Sequence, residues 1–161
     1  MATFNATSSG GGTVGHSASA ANAYVMTSPV YDAVDNTDLS QGDIVQLIDL
    51  PADTYVIGGC IETLEASGNG QITFDVGFTG GDVDCFVDGA QSNSAVFTPF
   101  LTTTAGATGS NAAMVTAAST IDLLVIDGGS SHTAVWRFRA HVILADVSRN
   151  PVESATVTTG T

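Results

Sequence analysis

The sequence predicts an all-β domain, an antiparallel β-sandwich folded as a jelly roll, and three observations lead there. Gly, Ala, Ser and Thr make up 75 of the 161 residues, while Glu, Lys and Gln, the usual fillers of helix surfaces, total seven. Val, Ile and Thr number 46, and β-branched side chains suit a pleated, half-buried surface. Short apolar runs recur between clusters of Gly, Pro, Asn and Asp, which is the rhythm of a sandwich or barrel. A seven-stranded immunoglobulin-like sandwich is the alternative arrangement.

The chain divides into an N-terminal arm (1–23), a sandwich (24–146) and a C-terminal extension (147–161). From Ser8 to Ala23 nearly every residue is Ser, Gly, Ala, Thr or Asn, a composition that cannot bury enough apolar surface to offset its own ordering. The arm reads as flexible, with Phe4, Val14 and Tyr24 as the side chains able to hold a neighbouring subunit. Residues 43–50 (DIVQLIDL) form the first strong strand, and Pro51 to Asp53 end it in a turn. A longer strand covers 54–65, where Gly58 and Gly59 mark a bulge or a close backbone approach.

Ser67 to Gly70 reads as a tight turn into 71–77, where Ile72, Phe74 and Val76 alternate with Thr73 and Asp75, so 54–65 and 71–77 read as a hairpin. A looser, Asp-rich stretch runs from Gly80 to Asn93. Residues 95–101 contain Pro99, which places that strand at a sheet edge. The segment 102–119 reads as a long surface loop with a weak strand at Met114 and Val115. Two strands close the domain, 120–127 and 133–146, joined by a turn over 128–131. In the second, Ala134, Trp136, Phe138, Ala140, Val142 and Leu144 share one face, and Arg137, Arg139 and His141 the other.

Charge narrows the partners. Three arginines and no lysine stand against 13 aspartates and three glutamates, a net charge of −13. Phosphate-backbone and anionic-membrane binding both depend on clustered cations, so neither nucleic acid nor a membrane surface is expected as a partner. No apolar run reaches the ~18 residues of a membrane span. The N-terminus also lacks the basic residues and apolar core of a secretory signal. Cys60 and Cys85 both sit in apolar stretches and read as buried thiols.

Few residues point to chemistry. His16, His132 and His141 have no supporting nucleophile or orienting carboxylate in sequence, so no catalytic site is expected. The two cysteines, 25 positions apart in sequence, lack the close partners of a zinc site. Asp82, Asp84 and Asp88 supply hard oxygen ligands on a Gly-flanked loop and are weak calcium candidates, although the loop lacks the EF-hand pattern. No cofactor is expected, and no small-molecule substrate. Arg137 and Arg139 are the cations of the folded body, and they need carboxylate neighbours, within the sheet or across a subunit contact.

The order of these features resembles the head decoration, or capsid cement, proteins of tailed bacteriophages, in particular those infecting marine bacteria and cyanobacteria. The matching features are the Ser/Gly/Ala arm, GDIVQLIDLPADTYV over 42–56, FDVG over 74–77, Ile121 with Asp122, and RAHVIL over 139–144. The resemblance covers about residues 24–146. It departs in the long 102–119 loop and in Cys60. It implies a non-enzymatic, trimeric virion protein on the capsid exterior that clamps major capsid protein subunits together. Two other readings compete: a tail or fibre component, and a calcium-dependent carbohydrate-binding module stacking Trp136 or tyrosines on sugar. Trp136 argues against the last, because it alternates in step with the core face.

Overall fold

The computed structural model of the chain describes residues 3–5, 23–33, 39–66, 72–78, 80–93, 96–100, 113–127 and 136–146. Val14, the turn over 128–131, most of the 102–119 loop and the C-terminal extension lie outside them.

Eleven strands form among the described residues: β1 (Thr3–Asn5), β2 (Ala23–Thr27), β3 (Tyr31–Asp32), β4 (Ile44–Leu50), β5 (Thr54–Glu65), β6 (Thr73–Phe78), β7 (Val87–Gln91), β8 (Phe97–Pro99), β9 (Ala113–Val115), β10 (Ser119–Asp127) and β11 (Arg137–Asp146). They make two sheets. The first has the order β1-β4-β10-β6-β7; the second has β2-β11-β5-β8, with β3 also paired to β11 and β9 to β5. Every described pair is antiparallel except β1 with β4. The architecture is the β-sandwich that the composition predicts.

Alternation along each strand builds the core. Val45, Leu47 and Leu50 on β4, Ile121, Leu123 and Val125 on β10, and Phe74 and Val76 on β6 are all buried in the first sheet. Opposite them lie Val56 and Ile61 on β5 and Phe138, Ala140, Val142 and Leu144 on β11, with Trp136 just ahead of it. Fully burying one such large apolar side chain is worth about 1.5–3 kcal/mol, so the two facing rows dominate the stability. Leu47 and Ile48 are consecutive and both buried because the β4–β10 register shifts there, a bulge that turns two neighbours inward.

Aromatic rings fill the centre. Trp136 lies 5.3 Å from Phe74 and 4.1 Å from Phe138 between ring centroids, and Tyr31 stands 5.2 Å from Phe138. A second group joins Phe86 to Phe100 at 5.1 Å and to Phe78 at 5.9 Å. Tilted and offset contacts at these separations suit the ring quadrupoles. The indole N–H of Trp136 has no hydrogen-bond partner among the described residues, and its side chain is wholly buried.

Two connections differ from the sequence reading. Strands β5 and β6 do not form a hairpin: β5 belongs to the second sheet and β6 to the first, where it pairs with β10 and β7. The step from β10 to β11 likewise crosses between sheets. Period-two alternation shows that each strand has one apolar face, and facing strands across a core satisfy it as well as neighbouring ones do. The Asp-rich stretch is also more ordered than its composition suggests, since β7 forms within it. Gly89, at φ +65°, bends that strand, and its N–H donates to Asp75 Oδ1 at 2.7 Å.

The Gly58–Gly59 pair has both expected roles. The β5–β11 register shifts between Val56 and Gly58. A Cβ on Gly59 would stand 2.8 Å from the Phe100 ring and collide with the His141 carbonyl, whereas one on Gly58 would meet nothing. Pro99 lies on β8 at the sheet edge, as its missing N–H requires. Both cysteines are free thiols; Cys85 is buried and Cys60 half-buried.

Candidate interaction surface

The outer face of the second sheet carries the residues that sequence reasoning singles out on β11. Cross-strand register sets them in rows. Arg137 stands opposite Asp32 and Glu65, Arg139 opposite Glu62, and His141 between Thr27 and Cys60. Arg137 Nε pairs with Asp32 Oδ2 at 3.0 Å. Arg139 Nε donates to Glu62 Oε2 at 2.5 Å, and His141 Nε2 lies 2.9 Å from the same oxygen. Thr27 Oγ1 completes the group, 2.9 Å from His141 Nδ1.

Those two arginines therefore have carboxylates within their own sheet. The hydrogen bonds from Arg139, then His141, hold the Glu62 carboxyl below its ordinary range. The cluster is a row of cross-strand polar pairs, contacts that help hold the strands in register.

Toward the other end of the same face the surface turns apolar. Val25 and Ile143 are direct cross-strand partners, and Ile57 and Tyr55 continue the patch on β5. All four are exposed, as is Phe97 on β8, which pairs with Glu62 and is 63% accessible. Grouped on one face, these side chains form an exposed apolar patch. Tyr24 lies on the opposite side of β2, half-buried and packed against the core, so only part of it is open to a partner. Phe4 is the central residue of β1, in register with Val45.

The acidic loop assembles a different trio from the one its spacing suggests. Asp75 on β6 joins Asp84 and Asp88, with carboxylate oxygens all within 4.8 Å of one another. Sequence separation hid Asp75, which reaches the loop only because β6 pairs with β7. Asp82 hydrogen-bonds Asp84 instead, and this contact, with some burial, pushes the Asp84 carboxyl up to about 6. Burial also raises Asp75, partly offset by the Gly89 N–H. Three carboxylates this close could hold a hard divalent cation. Protonation of Asp84 as the pH falls through about 6 relieves the same repulsion without one. Trp136 is buried and cannot stack on a sugar.

Fold and surface together define a two-sheet β-sandwich with one outer face part polar and part apolar. No protein-family model matches the sequence, and no curated protein matches it. The fold is similar to that of chains from three solved phage capsids. Cyanophage Pam1 has a TM-score of 0.60 at 20% identity, over 81% of this chain and 89% of that one. Ralstonia phage GP4 gives 0.55 at 16%, over 76% and 84%. The acid-stable capsid of Helicobacter pylori bacteriophage KHP30 gives 0.51 at 12%, over 76% and 86%.

Proposed function

We propose that the chain is a non-enzymatic virion structural protein of a tailed phage, a decoration or cement protein that binds the outside of the head and stabilises the major capsid lattice. The observation that carries the reading is the shared fold: three phage capsid chains resemble this one over at least three-quarters of its length. The surface is compatible with it. An exposed apolar patch beside an ion-paired row offers a partner both burial and orientation, while a net charge of −13 keeps the remaining faces in water. The copies act as a homotrimer on the capsid exterior, with major capsid protein as partner and Phe4, Val14, Tyr24, Arg137 and Arg139 as contact candidates.

Many weakly bound copies reinforce a shell because each bridges subunits that would otherwise separate independently. The test is to mix the purified protein with undecorated heads. Saturable binding with a raised disruption temperature of the shell is expected. Absence of binding would remove the decoration reading, and binding to isolated tails instead would move the protein to the tail or fibre.

A further inference from the structure

The placement of β1 has a consequence for assembly. Thr3, Phe4 and Asn5 pair with Ile44, Val45 and Gln46 at the open edge of the first sheet. It is the one parallel pairing described, three residues long, and β4 is the element that β1 meets extensively. A strand held by a short ladder on an outer edge can leave without disturbing the core behind it.

The way back to the body is far shorter than the chain provided for it. Across the core β4 meets β11, while β7 meets β8, so β1 and β2 border the same flank of the sandwich. β1 runs parallel to β4, toward Leu50, and Leu50 leads through a three-residue turn to Thr54. Thr54 pairs with Asp146 and Ala23 with Ala145, so β2 begins at that same end. Sheets pack about 10 Å apart and a strand advances about 3.4 Å per residue, so Asn5 and Ala23 need to be bridged over roughly 20 Å. Residues 6–22 number 17. At full extension they reach about 60 Å. That leaves roughly 40 Å of reach beyond what the return to β2 uses.

We propose that β1 is exchanged between copies of this chain, the Thr3–Asn5 strand of one molecule completing the β4 edge of the next. The occupant is fixed by the site itself, since the same backbone hydrogen bonds in the same register form whether the strand comes from its own chain or a neighbour's. An exchanged identical element adds intersubunit contact at little cost in new interactions. The exchange concerns copies in solution and holds whether or not they stand on a capsid.

The test uses the full chain with its native cysteines. One preparation carries Asn5→Cys, a second Gln46→Cys and a third both, with the unmodified chain as control. Positions 5 and 46 are register partners, whose Cα separation of roughly 5 Å suits a disulfide. Mild oxidation of the first two preparations, mixed, should yield a covalent dimer with a 5–46 link, identified by peptide mass spectrometry. The double variant should give linked oligomers. An intrachain link alone in the double variant, with no dimer in the mixture, would overturn the exchange, and so would absence of any 5–46 link. Removing residues 1–5 should leave the melting temperature nearly unchanged and lower the solution mass to that of one 16.2 kDa chain less its five residues. An unchanged oligomer would count against the proposal. Failure of the head-binding test leaves these outcomes intact, and the reverse also holds.

Discussion

Glu62 and His141 face each other diagonally across the β5–β11 ladder, with Oε2 2.9 Å from Nε2, and the same oxygen receives the Arg139 guanidinium. One carboxylate thus ties two residues of β11 to β5. Its folded pKa lies below the ordinary value of 4.5, so its stabilising effect is present above that pH and is lost as the pH falls through the depressed value. Glu62→Gln should lower the melting temperature at neutral pH. Scans in increasingly acidic buffer should show wild type and variant converging below about pH 4.5.

Asp84 has the opposite sign. Its hydrogen bond to Asp82 raises the carboxyl from 3.8 to about 6 in the folded chain. The contribution is therefore complete below 3.8 and disappears as pH rises through about 6. Asp84→Asn should flatten the melting-temperature profile between those two values and stabilise the protein at neutral pH. An unaltered profile would mean that the carboxyl pair does not share a proton.

Gly59 and Gly58 make a matched pair. Gly59→Ala pushes a methyl group into Phe100 and the β11 backbone and should cost about 1–3 kcal/mol, the usual range for overpacking. Gly58→Ala meets open space and should be close to neutral. Chemical denaturation of both variants gives the comparison directly.

Trp136 is the single tryptophan, wholly buried between Phe74 and Phe138. Emission should be blue-shifted in the folded protein and move to the red on unfolding. Trp136→Ala should cost about 3–5 kcal/mol. Trp136→Phe should cost less, because the indole N–H has no described partner to lose and only part of the ring volume is removed.

Arg137 tests the surface without testing the fold. Its ion pair with Asp32 is largely open to water, and such pairs contribute about 0–1 kcal/mol. Arg137→Glu should keep the melting temperature within a few degrees of wild type and weaken assembly or head binding. Analytical ultracentrifugation beside a melting curve separates the two effects; unchanged assembly would exclude Arg137 from the contact.

Which parts of this structure can be read in advance follows from what each residue senses. The strands at 44–50, 54–65 and 137–146 are legible because their apolar residues must alternate to face one core, and Pro99 is legible because a missing donor belongs at an edge. Sheet membership is not, since Phe74 and Val76 would be equally buried beside Ile61 or across from it. The same limit hides Asp75 from the acidic loop and Glu62 from His141. Both are brought together by pairings between strands distant in sequence, and no local spacing records those pairings.

Pro99 also shapes what the molecule does at high density. The next residue, Phe100, donates its N–H inward to Gly59 O at 2.9 Å, so by strand alternation the Pro99 nitrogen lies on the outer side of β8. There a passing chain finds no donor at position 99 and only a three-residue strand to lengthen. A strand added along β8 would lack one ladder hydrogen bond at that point. Crowded molecules are then less able to extend the second sheet through β8, and the device works through one missing N–H and not through charge.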